Sequence, residues 1–65
     1  MKDYQERVVE EKKELDSKID KLSNFLDFSR DFIALNQAEQ VRMKMQRLTM
    51  KQYSDLLAAR IDSFV

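Results

Sequence analysis

The chain contains neither glycine nor proline in its 65 residues. Proline interrupts helices, glycine commonly ends them, and tight turns between strands depend on such residues, so their absence favours long helices over a sheet. Helix ends must then be found from capping residues and from breaks in the apolar periodicity. We predict an all-α fold, a single antiparallel helical hairpin over residues 1–65, with helices over about 3–28 and about 37–64 and a short helical joint over 29–36.

Three capping patterns support these boundaries. Asp3 followed by Glu6 predicts the start of the first helix, and Asn36 followed by Glu39 predicts the start of the second. Ser29 is expected to cap a short helical turn between them.

The first helix has one narrow apolar stripe, whose members recur at spacings of three, four and seven. They are Tyr4, Val8, Leu15, Ile19, Leu22 and Leu26. The region between Ser23 and Asn36, which includes the joint, is also apolar, with Phe25, Leu26, Phe28, Phe32, Ile33 and Leu35 crowded together. We expect these residues to plug the end of the hairpin, and a ligand-binding aromatic cage is the alternative.

The second helix has apolar residues on two sides. One side comprises Val41, Met45, Leu48, Leu56 and Ala59, and the other comprises Met43, Met50, Tyr53, Leu57, Ile61 and Phe64. A polar sector with Gln40, Lys44, Arg47, Lys51, Ser54, Asp55 and Asp62 is expected to face water.

A narrow stripe on the first helix can cover only one of these two sides. Chains this short seldom build a sufficient core alone, and without cysteine no disulfide is possible. We therefore predict a homo-oligomeric bundle, with a waiting foreign partner as the alternative. The predicted oligomer interface consists of Met43, Met50, Leu57, Ile61 and Phe64.

Most catalytic chemistry lacks its residues in this chain. There is no cysteine or histidine for a nucleophile, a base or a transition-metal site, and no glycine for a phosphate-binding loop. The acidic group Glu10, Glu11 and Glu14 is interleaved with lysines, which is typical of a solvated, salt-bridged helix face. We predict a non-enzymatic protein with no metal and no cofactor.

A basic block lies in the second helix, although the twelve basic and twelve acidic residues of the chain cancel. Arg42, Lys44, Arg47 and Lys51 have no acidic residue among them. We interpret the block as charge complementarity between the helices or between subunits, and nucleic-acid binding is the alternative.

Three polar residues, Arg42, Thr49 and Arg60, project between the two apolar sides of the second helix. In one interpretation they form a structural network with the first helix, with Arg60 over the Tyr4 ring and Glu11 bonded to the Tyr53 hydroxyl. In the other they line a cleft between subunits that binds a small anionic nucleotide. The candidate ligand-binding residues are Arg42, Thr49, Tyr53, Arg60, Tyr4 and Arg7.

The apolar runs are too short to span a membrane, and the N-terminal residues do not form a signal peptide. We therefore expect a cytoplasmic protein.

One resemblance covers nearly the whole chain. It is carried by Tyr4-Gln5, Arg7-Val8, Glu10 or Glu11 with Lys12, Leu15-Asp16, Lys18-Ile19, Lys21-Leu22, Phe32, Leu35, Glu39-Gln40, Gln46, Met50, Tyr53-Ser54, Leu57, Arg60-Ile61 and Phe64. This pattern resembles the small uncharacterised helical accessory proteins of tailed phages and prophages. The resemblance implies a protein of the host cytoplasm that counters host defence or redirects a host factor by stoichiometric binding. There are two alternatives. One is an oligomeric sponge, a protein that sequesters a defence signalling nucleotide, and the other is a nucleic-acid-binding accessory protein.

Overall fold

The computed structural model describes residues 2–65, which form two long helices joined by a short one. Helix α1 spans Asp3–Phe28, α2 spans Arg30–Ala34 and α3 spans Gln37–Asp62. The prediction of an all-α chain built on a long helix pair is confirmed. The chain forms a rod with extents of 47 × 15 × 13 Å.

The joint changes the direction of the chain with extended residues alone. Ser29, Leu35 and Asn36 have φ between −65° and −85° and ψ between 132° and 157°. No residue in the range 2–65 has a positive φ. The Ser29 Oγ accepts a hydrogen bond from the Asp31 N–H at 3.1 Å, and the Asn36 Oδ1 accepts one from the Glu39 N–H at 2.8 Å. Both residues therefore cap helices as predicted.

The start of α1 differs from the prediction. Lys2, not Asp3, is the N-cap residue, and Asp3 is already helical. The Gln5 Oε1 accepts from the Lys2 N–H at 3.1 Å, so Gln5 makes the backward contact that was assigned to Glu6. The Asp3 carboxylate instead adds negative charge to the first turn, where the helix dipole favours it.

The two long helices are antiparallel. The ring of Tyr4 lies edge-on to Phe64 with 5.9 Å between the centroids, and the Ser54 Oγ donates to the Asp16 Oδ1 at 2.5 Å. The simple pairing expected from the sequence placed Tyr4 near Arg60, so α3 is displaced along α1 by about one helical turn.

Helix α2 accounts for this displacement. The Gln40 side-chain amide donates to the carbonyl oxygens of Phe32, Ile33 and Leu35 at 3.1, 3.2 and 3.1 Å. These carbonyls lie at the end of α2, where a helix leaves its acceptors unsatisfied. The Lys44 Nζ lies 5.9 Å from the centroid of the Phe32 ring. The first turns of α3 therefore contact α2 through Gln40 and Lys44, and Arg47 further along α3 reaches Asp27 on α1.

The apolar core is small. It consists of Val8, Ile19, Leu26, Phe32 and Leu57. Phe25 packs edge-on against Phe32 with 6.1 Å between the ring centroids, so two phenylalanines do close the end of the hairpin. Phe28 and Ile33 were expected to join them, but they are 82% and 75% exposed because they project away from α1 and α3.

The side of α3 that faces α1 is the one that was assigned to the oligomer interface. Leu57 has no exposed surface. The other four residues of that prediction are partly buried within the same chain: Met43, Met50, Ile61 and Phe64. These side chains are consequently engaged in the hairpin, and the other apolar side of α3 is left exposed.

Polar contacts explain this choice of side. Ser54 lies on the same side of α3 as Leu57 and reaches Asp16 on α1. Arg47 lies at the edge of that side, and its Nη1 donates to the Asp27 Oδ1 at 3.1 Å. The sequence-based prediction that Ser54 and Arg47 face water is wrong. Both side chains pair with carboxylates on α1, and the apolar pattern alone does not reveal these pairs.

The Gln40 contacts lead to a first prediction. Gln40→Ala removes the donor to three carbonyls and is expected to lower the free energy of unfolding by about 1 to 2 kcal/mol. Gln40→Glu should lower it further, because a carboxylate would face carbonyl oxygens. Urea unfolding followed by circular dichroism measures both effects, with Gln46→Ala as the control at an exposed position of the same helix. Equal stability of the Gln40→Ala and Gln46→Ala variants would contradict the role of this side chain.

Candidate functional site

An exposed apolar stripe runs along the side of α3 opposite α1, and we call it the outer stripe. Its members are Val41, Met45, Leu48 and Leu56, which are 50, 61, 58 and 65% exposed. Gln52 and Ala59, also exposed, continue the same line. Soluble monomers rarely leave an apolar surface of this length uncovered. The outer stripe is therefore a candidate interaction surface.

Arg42, Thr49 and Arg60 lie along one border of the outer stripe, and all three are exposed. The Arg42 Nε donates to the Glu39 Oε1 at 2.8 Å, with 66% of the arginine side chain exposed. The Thr49 Oγ1 donates to the Met45 carbonyl at 3.0 Å. Because both arginines are exposed, a single hairpin imposes no desolvation cost on their charges.

The two tyrosines of the predicted ligand set are also accessible. Tyr4 is 54% exposed and packs on Phe64, so its aromatic partner differs from the Arg60 contact of the structural interpretation. Tyr53 is 43% exposed. The Tyr4 hydroxyl accepts a hydrogen bond from the Gln5 side-chain amide at 3.5 Å.

The predicted ligand-binding residues do not converge on one pocket within residues 2–65 of a single chain. Arg42 and Arg60 are separated by 18 residues of helix, which is about 27 Å. Arg7 lies elsewhere, at a shallow cleft of about 340 Å³ with Asp3, Glu6 and Glu10. A compact site that includes both α3 arginines would need a second chain.

The basic block is largely engaged inside the hairpin. Arg47 pairs with Asp27 on α1, Arg42 pairs with Glu39, and Lys44 lies over the Phe32 ring. The Arg47 pair supports the interpretation of charge complementarity between the two long helices. Surface pairs of this kind set orientation more than they add stability.

A polar cluster that the sequence analysis missed lies in the middle of the seam between α1 and α3. Asp16 accepts hydrogen bonds from the Ser54 Oγ at 2.5 Å and from the Lys12 Nζ at 2.7 Å. The hydrogen bond from Lys12 is the main cause that lowers the pKa of the Asp16 carboxyl, and the bond from Ser54 adds to it. The position of Ser54 beside Leu57 on the helical wheel was the available signal.

An open cleft of about 430 Å³ adjoins this cluster. It is lined by Val9, Lys12, Lys13, Asp16, Ser17, Asp20 and Ile61. Its charges are mixed, and Lys12 is already bound to Asp16. These features are typical of a solvated groove between two helices, and they do not favour the binding of an anionic ligand.

Two further properties concern residues 2–65. No helix in this part of the chain is both long and apolar enough to cross a membrane. Over the same residues, no three side chains of the metal-binding types come together.

The fold is thus that of a small all-α protein whose second long helix leaves one apolar side exposed. The family model of Sequestin matches residues 2–63. The chain therefore belongs to the Sequestin family.

A relative from Enterobacteria phage T4 supports the phage assignment. It is the "Uncharacterized 7.5 kDa protein in denB-rIIB intergenic region", and it is 41% identical over 61 residues, which cover 94% of this chain and 94% of the relative. No solved structure matches the chain.

The Asp16 cluster leads to a prediction about pH. Because the pKa of Asp16 is lowered on folding, its carboxylate stabilises the folded chain above the unfolded pKa of about 3.9, and this contribution is lost as the pH falls through the lower, folded pKa. The stability advantage of the parent chain over Asp16→Asn should therefore shrink below about pH 4. Thermal melts from pH 7 to pH 2.5 measure it, with Asp20→Asn as the control one turn along the same helix. An advantage of Asp16 that did not change with pH would contradict the assignment.

Proposed function

We propose that this Sequestin-family chain is a non-enzymatic phage protein that acts in the host cytoplasm by stoichiometric binding. Its target is a host defence component or another host factor, and its action is to occupy that target. The family name, which denotes sequestration, and the match over residues 2–63 carry the proposal. The phage source of the relative supports it. The exposed outer stripe supplies the kind of surface that binding by occupancy requires.

Self-association is part of this proposal. Over residues 2–65, five apolar side chains are buried in the core of one hairpin, while four large apolar side chains of the outer stripe are at least half exposed. Covering that surface with a second chain would add burial to a domain of a size that often needs it.

A second candidate function is an oligomeric sponge that sequesters a defence signalling nucleotide. The observation that favours it is the accessibility of Arg42 and Arg60 on one border of the outer stripe. The Arg42 contact with Glu39 spans three residues on an exposed helix face, so it is weak enough to be exchanged for a phosphate. Nucleic-acid binding has less support, because Arg47 and Lys44 make contacts within the hairpin.

The three candidates can be separated by direct binding measurements. We expect either recovery of a specific host protein in a pull-down from lysate or a large rise in melting temperature with one signalling nucleotide. A nucleotide at 100 times its dissociation constant should add about 2.7 kcal/mol to the free energy of unfolding.

Duplex and single-stranded DNA serve as the contrasting ligands in the same thermal-shift panel. Tight DNA binding that weakens by orders of magnitude between about 50 and 200 mM salt would replace both proposals with the nucleic-acid function.

The arginine border gives a separate prediction. Arg42→Ala should leave the melting temperature nearly unchanged, because an exposed pair three residues apart contributes at most about 0.5 kcal/mol. The same variant should lose nucleotide binding, and with it the protection of a phage plated on a host that carries the matching defence. Arg30→Ala, at an exposed arginine in α2, is the control. Full activity of Arg42→Ala would remove the main support for the sponge.

A further inference from the structure

One heptad pattern runs through both long helices without a change of phase. In α1, alternating steps of three and four residues from Gln5 to Leu26 reach only buried or half-buried residues. In α3, the same steps from Gln40 to Ile61 again reach only buried or half-buried residues. We call these two sets the inner stripes. Gln40 follows Leu26 by fourteen positions, which is two complete heptads, so a continuous helix would place both inner stripes on one face.

The bent joint does not require this agreement in phase. Its extended residues reorient α3 after α1 has ended, so α3 can turn its inner stripe toward α1 whatever the length of the joint. About one joint length in seven would preserve the heptad phase by chance. The agreement matters only for a chain in which the joint is straight.

Nothing in the sequence of the joint prevents a helix there. Residues 30–34 are already helical, so only Ser29, Leu35 and Asn36 have extended backbone. The joint contains neither glycine nor proline. In a continuous helix, the three carbonyls that now accept from the Gln40 amide would accept from backbone N–H groups four residues further along. Straightening the joint therefore leaves none of these carbonyls without a donor.

The positions that continue the inner stripes through the joint carry no charge. Further steps from Leu26 reach Ser29, Ile33 and Asn36 before they reach Gln40. Ile33 is 75% exposed in the hairpin. A straight helix would place Ile33 on the face of the inner stripes, where a second helix can cover it.

We propose that this chain has a second folded state, a dimer of straight helices in which α1 of each copy packs against α3 of the other copy. The register of the hairpin is compatible with this exchange. The pair of Asp16 with Ser54 is centred on position 35, and the pair of Tyr4 with Phe64 is centred on position 34. Two straight helices aligned antiparallel about this centre, which lies in the joint, make the same pairs between chains.

The exchange keeps the seam and changes only the joint. The contacts of Asp16 with Ser54 and of Arg47 with Asp27 occur in both states, within one chain in the hairpin and between chains in the dimer. The outer stripe stays exposed in both states, because it lies on the side of α3 opposite α1. The inference therefore goes beyond the self-association proposed above and depends neither on the outer stripe nor on a target.

The caps of the joint determine the balance between the two states. Ser29 accepts from the Asp31 N–H and Asn36 accepts from the Glu39 N–H only while the joint is bent. In the straight state both residues lie inside a helix, where they are moderate helix formers and have no cap to make. The caps therefore favour the hairpin in dilute solution, and mass action favours the dimer at high concentration.

The length of the dimer distinguishes exchange from side-by-side association of hairpins. A straight helix over residues 3–62 is about 90 Å long, whereas the hairpin is 47 Å long. Small-angle X-ray scattering from the dimer should give a maximum dimension of about 90 to 100 Å. A dimer no longer than one hairpin would overturn the proposal.

Removal of both caps should increase the amount of this long dimer. Ser29→Ala combined with Asn36→Ala weakens only the hairpin, so dimerisation should strengthen about 100-fold. Sedimentation equilibrium after refolding from urea at about 5 and about 500 μM measures the change. Ser17→Ala combined with Asn24→Ala is the matched control, because both positions are exposed and lie within α1 in either state. Equal dimerisation of the two double variants, or a cap-free variant that stays monomeric, would overturn the proposal.

A proline at the first residue of α3 should block only the straight state. Gln37 follows the extended residue Asn36, and proline suits a first helical position because the N–H there has no partner within the helix. Inside a continuous helix the same proline would remove a backbone hydrogen bond and clash with the preceding turn. Gln37→Pro should therefore match the circular dichroism of the parent hairpin in dilute solution and abolish the long dimer. A long dimer that persists in Gln37→Pro would contradict the straight joint.

Paired thiols can show which chains share a seam, because the chain has no cysteine. Asp27→Cys combined with Arg47→Cys places thiols at two positions whose side chains meet across the seam, 3.1 Å apart in the parent. A short bismaleimide should join them within one chain in the hairpin and between chains in the exchanged dimer. In the cap-free background, denaturing electrophoresis should show covalent monomer after refolding at about 5 μM and covalent dimer after refolding at about 500 μM. Covalent monomer at both concentrations would show that each chain keeps its own seam, and the proposal would be wrong.

Discussion

The rotation of α3 about its own axis determines the rest of this structure. The hydrogen bond from the Ser54 hydroxyl to Asp16, reinforced by Lys12 on the same carboxylate, fixes that rotation in the middle of the helix pair. Leu57 is buried as a result, and Val41, Met45, Leu48 and Leu56 remain outside. An apolar contact alone would not choose between two sides of similar hydrophobicity, because burial is nearly proportional to area and has little direction. A polar bond with defined geometry makes the choice.

Most of the secondary structure could be predicted from the sequence, because helix ends depend on local chemistry. Ser29 and Asn36 cap the helices that they were expected to cap, and the joint lies between them. Caps are formed by residues within three or four positions of one another, so their signal survives in the sequence. The first turn of α1 was misassigned, since Lys2 with Gln5 replaced Asp3 with Glu6 there.

The packing of the helices was predicted less well, for a physical reason. Which side of α3 meets α1 depends on pairs such as Arg47 with Asp27, whose members are 20 residues apart in the chain. The displacement of α3 along α1 depends on the three carbonyls that Gln40 reaches around α2. Helical periodicity shows which residues share a face, and it does not show which distant group that face will meet. The candidate ligand residues have the same limitation, since Arg42 and Arg60 would share a compact site only between chains.

The joint between the long helices uses no left-handed backbone conformation. Ser29, Leu35 and Asn36 turn the chain with φ and ψ values that almost any amino acid adopts readily. No position of the described hairpin therefore requires glycine for its backbone conformation, and substitutions are limited by the side-chain contacts that they disturb. A phage protein with this architecture can change its surface rapidly under pressure from a host while its backbone stays the same.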